Sequence, residues 1–200
     1  MYPLGICSLV MLFLIAYSLS ELRMGQFYQA AQVDATKRLV TQGDLESAKS
    51  SLLDFDTLLG RSIAPALGKL ERGFERAEDT FVEHLDAEEN KVAQWIVYLN
   101  VVATVAPMIG LLGTVSGMVS AFQTIGRGGM GRPELLAGDI GEALITTATG
   151  LVIGIPAMIA YFVLKNRLNA AMIATSQKGS EILDCYPKHS ASSERPAPLY

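Results

Sequence analysis

Three stretches of the chain contain no aspartate, glutamate, lysine or arginine: residues 1–20, 92–126 and 143–164. A helix of about 20 apolar residues is long enough to cross a bilayer, and half of the 200 residues are hydrophobic. The pattern therefore predicts an all-α integral membrane protein with three transmembrane helices. The predicted helices are 1–22, 95–125 and 142–165, and the segments outside the bilayer are 23–94, 126–141 and 166–200.

The first apolar stretch also fits a cleaved signal peptide, which stays open as an alternative to a retained helix. Its long apolar core and the lack of lysine or arginine beside Met1 favour the helix. Nine lysines and arginines lie in residues 21–91, five after residue 164, two in residues 127–142 and none before residue 21. The positive-inside rule then predicts an outside N-terminus and a cytoplasmic C-terminus.

The segment 23–94 is predicted to be helical. Apolar residues recur every three or four positions over 67–92, which predicts an amphipathic helix that runs without a break into the second span at Trp95. Gly60 and Pro65 are interpreted as turns that precede this helix.

Three shorter features complete the polar parts. Asp44 is a candidate N-cap of a short helix. The glycine-rich run after residue 125 is interpreted as a flexible turn, because it lacks the Lys-Ser/Thr of a phosphate-binding loop. The end of 166–200 is rich in proline and serine and is predicted to be disordered after a helix end.

The polar residues do not suggest an enzyme or a metal site. A net charge of −4 gives no basic surface for nucleic acid. Cys7 and Cys185 lack metal-ligand spacing and lie in unlike surroundings, so we predict neither a metal site nor a disulfide. His84 and His189 are interpreted as solvated surface residues. No nucleophile–base pair is visible, and we predict no catalytic residue and no cofactor.

Small residues form one face of the second span and one face of the third. At helical spacing these faces are Gly110, Thr114, Gly117 and Ala121, and Ala143, Thr147, Gly150 and Gly154. The pairs Gly113–Gly117 and Gly150–Gly154 are each G-x-x-x-G, a pattern that lets helices approach closely in lipid. Helix packing is the plainer interpretation of these glycines.

Two threonines and two prolines favour something more than packing. One threonine can satisfy its hydroxyl on the preceding turn of its own helix. Thr114 and Thr147, each centred on a small face, favour a wall that touches water or a polar group of another chain. Pro107 and Pro156 each remove a helix hydrogen bond, which favours a cavity nearby.

Glu142 is the acidic residue nearest to a span, and two interpretations of it stay open. With Asp139 it forms D-I-G-E, the spacing of a capping box at a helix start. Alternatively, it faces a pore mouth and attracts cations. Apart from it, the apolar stretches hold no charged side chain. The chain alone therefore cannot relay a proton by titration, and another subunit must supply the titrating group.

The motifs "VAPMIGLLGTVSGMVSAF" (Val105–Phe122) and "IGEALITTATGLVIGIPAMIAYF" (Ile140–Phe162) resemble the second and third spans of the MotA/TolQ/ExbB proton channel family. The match is closest to the ExbB/TolQ branch. The stretch "YPLGICSLVMLFLIAYSLSELR" is similar to the first helix of that branch.

The resemblance implies a homopentamer in the bacterial inner membrane, with long helices continuing into the cytoplasm and 126–141 in the periplasm. It implies that this ring encloses an ExbD/TolR-like single-span subunit whose membrane helix carries an aspartate. Thr114 and Thr147 match pore-facing threonines of the family, and Glu142 matches a glutamate. Proton flow would drive rotation that pulls on a TonB/TolA-like energy transducer.

Two other functions remain open at this point. A non-conducting membrane scaffold could assemble partner proteins through its small faces. A flagellar-stator-like subunit of the MotA branch would carry four spans, whereas the charge pattern predicts three.

Overall fold

The computed structural model describes residues 2–22, 27–53, 56–126 and 133–187, and the regular structure within these ranges is entirely helical. In chain order the elements are α1 (Tyr2–Glu21), α2 (Ala30–Thr41), α3 (Leu45–Leu53), α4 (Leu58–Leu67), a 3-10 turn (Leu70–Arg72), α5 (Phe74–Gly126) and α6 (Pro133–Asp184). The all-α prediction is confirmed.

Three of the described helices, α1, α5 and α6, are long and apolar enough to cross a membrane. They agree with the three predicted spans. The homopentameric ring and the position of the helix ends in the cytoplasm stay predictions.

The chain divides into two compact units. The first, here called the apolar unit, is Met1–Leu22 with Lys91–Leu168, and the second, the polar unit, is Arg23–Asn90 with Asn169–Tyr200. Both α5 and α6 contribute residues to each unit.

The apolar unit has a narrow interior made of small and aliphatic side chains. On α1 the buried apolar residues are Leu4, Met11 and Leu14, and on α5 and α6 they include Ile96, Leu99, Ala103, Ala106, Ile153, Ala157 and Leu164. Large apolar side chains on the other faces are exposed, for example Leu112, Val152 and Phe162. This distribution is the one expected of helices whose outer surface faces lipid.

The polar unit has an aliphatic and aromatic core that includes Leu59, Ile63 and Phe81. A buried hydrogen-bond chain joins three of its helices, starting with Nε2 of Gln32 on α2, which donates to the Leu52 carbonyl oxygen on α3 at 3.5 Å. The Thr57 hydroxyl donates to Oε1 of Gln32 at 2.8 Å. It also accepts from the backbone N–H of Gly60 at 3.1 Å and so caps α4. Since these groups are out of reach of water, each needs its partner to avoid a desolvation penalty.

Two of the local predictions for the polar unit are wrong. Gly60 and Pro65 lie inside α4 and are not turns. Gly60 is needed for close packing, because a Cβ there would lie 3.0 Å from the Leu52 carbonyl oxygen and 3.1 Å from Nε2 of Gln32. The amphipathic helix predicted over 67–92 begins only at Phe74, because Gly73 adopts a φ of +129° that ends the preceding turn.

Two other local predictions are confirmed. From Phe74, α5 continues through Trp95 without a break. The Asp44 carboxylate accepts a hydrogen bond from the Ser47 N–H at 3.0 Å at the start of α3, as expected of an N-cap. Hydrogen bonds from Ser47 also lower the pKa of Asp44.

An exposed ion cluster in the polar unit predicts a measurable acid dependence. Hydrogen bonds from Lys178 and Lys37 lower the pKa of Glu181 to about 2, from an ordinary value of 4.5. Because the folded-state pKa is depressed, the stabilisation is complete above about pH 4.5 and is lost as the pH falls through 2. Wild-type protein should therefore melt slightly above Glu181→Gln at pH 7, by a few degrees at most, and the difference should vanish near pH 2.

Thermal melting followed by circular dichroism measures this difference. Glu83→Gln removes the same charge from an exposed site on α5 and serves as the control. The difference in melting temperature between this variant and wild type should not disappear between pH 7 and pH 2. A Glu181→Gln difference that stays constant from pH 7 to pH 2 would contradict the prediction.

Candidate functional site

Helices α5 and α6 of the apolar unit run antiparallel and meet through their small faces. Close approaches pair Gly117 with Ala143, Gly110 with Gly150, and Pro107 with Gly154. Moving toward the C-terminus of α5 is thus matched by moving an about equal number of residues toward the N-terminus of α6. The small faces on the two helices pack against each other within one chain.

The glycines at this contact leave no room for a side chain. A Cβ on Gly150 would lie 2.7 Å from the Ala106 carbonyl oxygen and 3.1 Å from Cα of Gly110. A Cβ on Gly117 would lie 2.6 Å from Cβ of Ala143, and one on Gly113 would overlap the Thr146 side chain. The backbones approach this closely only because these positions lack a Cβ.

Pro107 and Pro156 both lie inside continuous helices. The Pro107 ring packs against Gly154, where a Cβ would lie 2.6 Å from the ring Cγ. The carbonyl of Ala103, which loses its usual donor to Pro107, lies 3.0 Å from that same Cβ position. This freed carbonyl is therefore covered by the glycine of the facing helix. Pro156 is exposed on α6.

The two threonines singled out from the sequence use their hydroxyl hydrogens differently. Thr147 donates across the contact to the Gly110 carbonyl oxygen at 2.9 Å, and it is partly buried. Thr114 donates to the Leu111 carbonyl oxygen on its own helix at 2.6 Å. With both hydrogens committed, each hydroxyl oxygen keeps its lone pairs and can accept a hydrogen bond from a third group.

A polar cleft of about 280 Å³ opens at one end of this helix contact, and neither Thr114 nor Thr147 is among the residues that line it. It is lined by Gly113, Ser116, Gly117, Ser120, Asp139, Glu142, Ala143 and Thr146. Two carboxylates and three hydroxyls thus surround a space that exists because two lining positions are glycine. The arrangement can hold water and attract cations.

The structure corrects two predictions about this end of the helices. Helix α6 begins at Pro133, so the later part of the loop predicted over 126–141 is helical. Proline suits the first position of a helix, where its missing N–H costs nothing. Asp139 and Glu142 therefore lie inside the helix, and the capping-box interpretation is wrong. Residues 127–132, with most of the glycine-rich run, lie outside the described residues.

Sequence reasoning missed Ser116 and Ser120 as parts of this site. Their spacing from Gly113 and Gly117 places all four on one helix face, which was the available signal. That the two serines lie opposite Asp139 could not be predicted, because it depends on the register of α5 against α6.

The same register locates the two ends of the charge-free parts of α5 and α6, residues 96–117 and 143–164, which together are here called the apolar section. Continued for about three turns beyond Gly154, it brings Lys165 level with Trp95. Between that level and the cleft, neither 96–117 nor 143–164 carries a charged side chain. Each is ~33 Å long at 1.5 Å per residue, close to the ~30 Å of a bilayer core. Thr114 and Thr147 lie within a turn of the cleft end.

Residues 55–176 match the sequence profile of the MotA/TolQ/ExbB proton channel family. The chain is 41% identical over 87 residues to "Biopolymer transport protein ExbB" of Xanthomonas campestris pv. campestris, covering 44% of this chain and 34% of the relative. It is 42% identical over 86 residues to "Tol-Pal system protein TolQ" of Haemophilus influenzae, covering 43% and 36%. A "Putative biopolymer transport protein ExbB-like 1" of Synechocystis is 38% identical over 87 residues, covering 42% and 34%. The chain thus spans about a third of the length of these relatives.

Proposed function

Because the chain belongs to the MotA/TolQ/ExbB proton channel family, we propose that it is a subunit of a proton-driven motor that couples the proton motive force to envelope work. The family and the three apolar helices make it a multi-pass inner-membrane protein. The observation that supports the proposal best is the pair of threonine hydroxyls on a charge-free helix pair, next to a polar, acidic cleft.

The helix pair needs a titrating group from another chain. Neither 96–117 nor 143–164 contains a charged residue. We propose that an ExbD/TolR-like single-span subunit supplies a membrane aspartate, and that several copies of this chain surround it as a homopentamer. A TonB/TolA-like transducer would carry the resulting motion to the envelope. The names of the relatives support these partner classes.

The hydrogen bonds of Thr114 and Thr147 suggest which protonation state of such an acid the two helix faces would bind. A carboxyl group in the low-dielectric membrane has a raised pKa and is neutral when protonated. A protonated acid can donate a hydrogen bond to the oxygen of Thr114 or Thr147, whereas a carboxylate can only accept. Since the hydrogens of both threonines are already committed, the walls favour the protonated acid and let it pass. Each proton that crosses ~100 mV supplies about 2.3 kcal/mol.

The cleft would be the mouth through which protons reach the threonines. We propose that it faces the periplasm, because lysine and arginine concentrate toward the other side of the predicted spans. Asp139 and Glu142 would then raise the local proton concentration, and Ser116 and Ser120 would order the water between them.

A non-conducting scaffold would need its small faces free for partners. The glycine faces of α5 and α6 instead fill each other within one chain. This contact favours the motor over the scaffold.

The cleft carboxylates give the experiment that tests the proposal. Replacing both Asp139 and Glu142 by their amides should lower the proton-dependent work of the complex about tenfold or more, because the mouth loses both charges. Asp86→Asn, an exposed site in the polar unit, is the control and should retain full work. The measurement is proton-motive-force-dependent activity in the source cells at equal protein levels. Full activity of the double amide variant would contradict the proposed mouth.

A further inference from the structure

The end of the apolar unit opposite to the cleft carries a cluster of aromatic rings. The Tyr17 ring of α1 lies 4.9 Å from the Trp95 ring of α5, centroid to centroid, and Trp95 lies 6.1 Å from Tyr98. Trp95 and Tyr98 are both exposed. Exposed tryptophan and tyrosine at the end of an apolar section are typical of the membrane–water interface.

A lysine with an aromatic partner lies at the same level. Nζ of Lys165 donates to the Tyr161 hydroxyl at 3.4 Å and lies 5.7 Å from the centroid of the Tyr161 ring. The α5–α6 register brings Lys165 level with Trp95. We call Tyr17, Trp95, Tyr98, Tyr161 and Lys165 the belt.

Within the apolar unit, the described charged residues near the belt are mostly basic. Arg167 is exposed two residues beyond Lys165, and neither cation makes an ion pair with any residue that the structure describes. Lys91 lies where the part of α5 that belongs to the apolar unit begins, and Glu21, half-buried at the end of α1, is the acid of that unit at this end among the described residues. The cleft end carries Asp139 and Glu142 instead. Among the described residues of the apolar unit, the belt end therefore carries mostly cations and the cleft end carries two carboxylates.

We propose that the belt and Arg167 form a binding surface for the headgroups of anionic phospholipids. The rings lie at headgroup depth, and Lys165 extends along the Tyr161 ring toward the phosphate. A lipid fits better than a soluble anion because the surface continues directly into exposed apolar side chains, such as Phe162, that acyl chains would cover. The inference is independent of proton conduction.

Trp95 is the single tryptophan of the chain, so its fluorescence reports on the belt directly. The full chain is reconstituted in vesicles that contain a small, equal fraction of brominated phosphatidylglycerol or brominated phosphatidylcholine, and quenching gives the relative binding constant. We expect a preference of about fivefold or more for phosphatidylglycerol, because a single cation near an anionic lipid already gives about that factor and the surface carries Lys165 and Arg167.

Lys165→Gln together with Arg167→Gln should reduce this preference to about one, and Lys165→Gln alone should give an intermediate value. Lys69→Gln removes the same charge from an exposed site of the polar unit and should leave the preference unchanged. Equal quenching by the two lipids in the wild-type chain would overturn the proposal. So would a double variant, with wild-type helix content, that keeps the full preference.

Discussion

Replacing Gly150 by alanine is expected to destabilise the α5–α6 contact by about 1–3 kcal/mol, the usual cost of overpacking a filled interior. The added Cβ would lie 2.7 Å from the Ala106 carbonyl oxygen and 3.1 Å from Cα of Gly110. Both neighbours are backbone atoms of α5, so neither can move aside by changing a rotamer. The helices must separate instead, and the Thr147–Gly110 hydrogen bond should lengthen with them.

Gly141→Ala is the matched control on the same helix. A Cβ at Gly141 would meet no atom within 4 Å, and alanine favours a helix over glycine by up to about 1 kcal/mol. The two substitutions should therefore have opposite signs, destabilising at Gly150 and neutral or stabilising at Gly141. Denaturant titration in detergent micelles, followed by circular dichroism, measures both. Equal stability of the two variants would contradict the close approach of α5 and α6.

Replacing Thr147 by valine is expected to reduce proton-dependent work about tenfold or more. Valine keeps the shape but removes the oxygen that would accept from the partner's protonated acid, and a loss of 1.4 kcal/mol in the transition state already corresponds to tenfold. It also removes the hydrogen bond to Gly110, whose contribution to helix association is roughly 0.6 kcal/mol. The effect on work should thus exceed the effect on stability.

Two further substitutions separate the hydroxyl from the fold. Thr147→Ser restores the oxygen and should recover most of the activity. Thr149→Val removes a hydroxyl that donates to the Ile145 carbonyl on its own helix and should be nearly silent. Activity is measured in the source cells at equal protein levels. Wild-type activity in Thr147→Val would show that the Thr147 hydroxyl takes no part in proton transfer, which would contradict the prediction.

The spans were predictable because charge is excluded from a bilayer core, a constraint that acts on each helix separately. The small faces were also predictable from a single helix, because helical spacing alone places Gly110 and Gly117 on one face. The cleft was not predictable, because it depends on which α6 residues lie opposite Ser116 and Ser120.

Local signals failed where packing overrides them. Gly60 would be a turn by propensity, but its missing side chain lets α4 approach Gln32 and the Leu52 carbonyl. The D-I-G-E spacing indicated a helix start at Asp139, but α6 already begins at Pro133. The tail 188–200, predicted to be disordered, lies outside the described residues.

Proton flux into liposomes is the most direct test of a pore wall that requires a titrating group from another chain. A pH-sensitive dye inside the liposomes records flux driven by a potential, first with this chain alone and then with the chain and the partner that co-purifies with it. We expect no flux above background for the chain alone, and clear flux with a partner whose membrane helix carries an aspartate. Equal flux with and without the partner, or none in either case, would contradict the proposal.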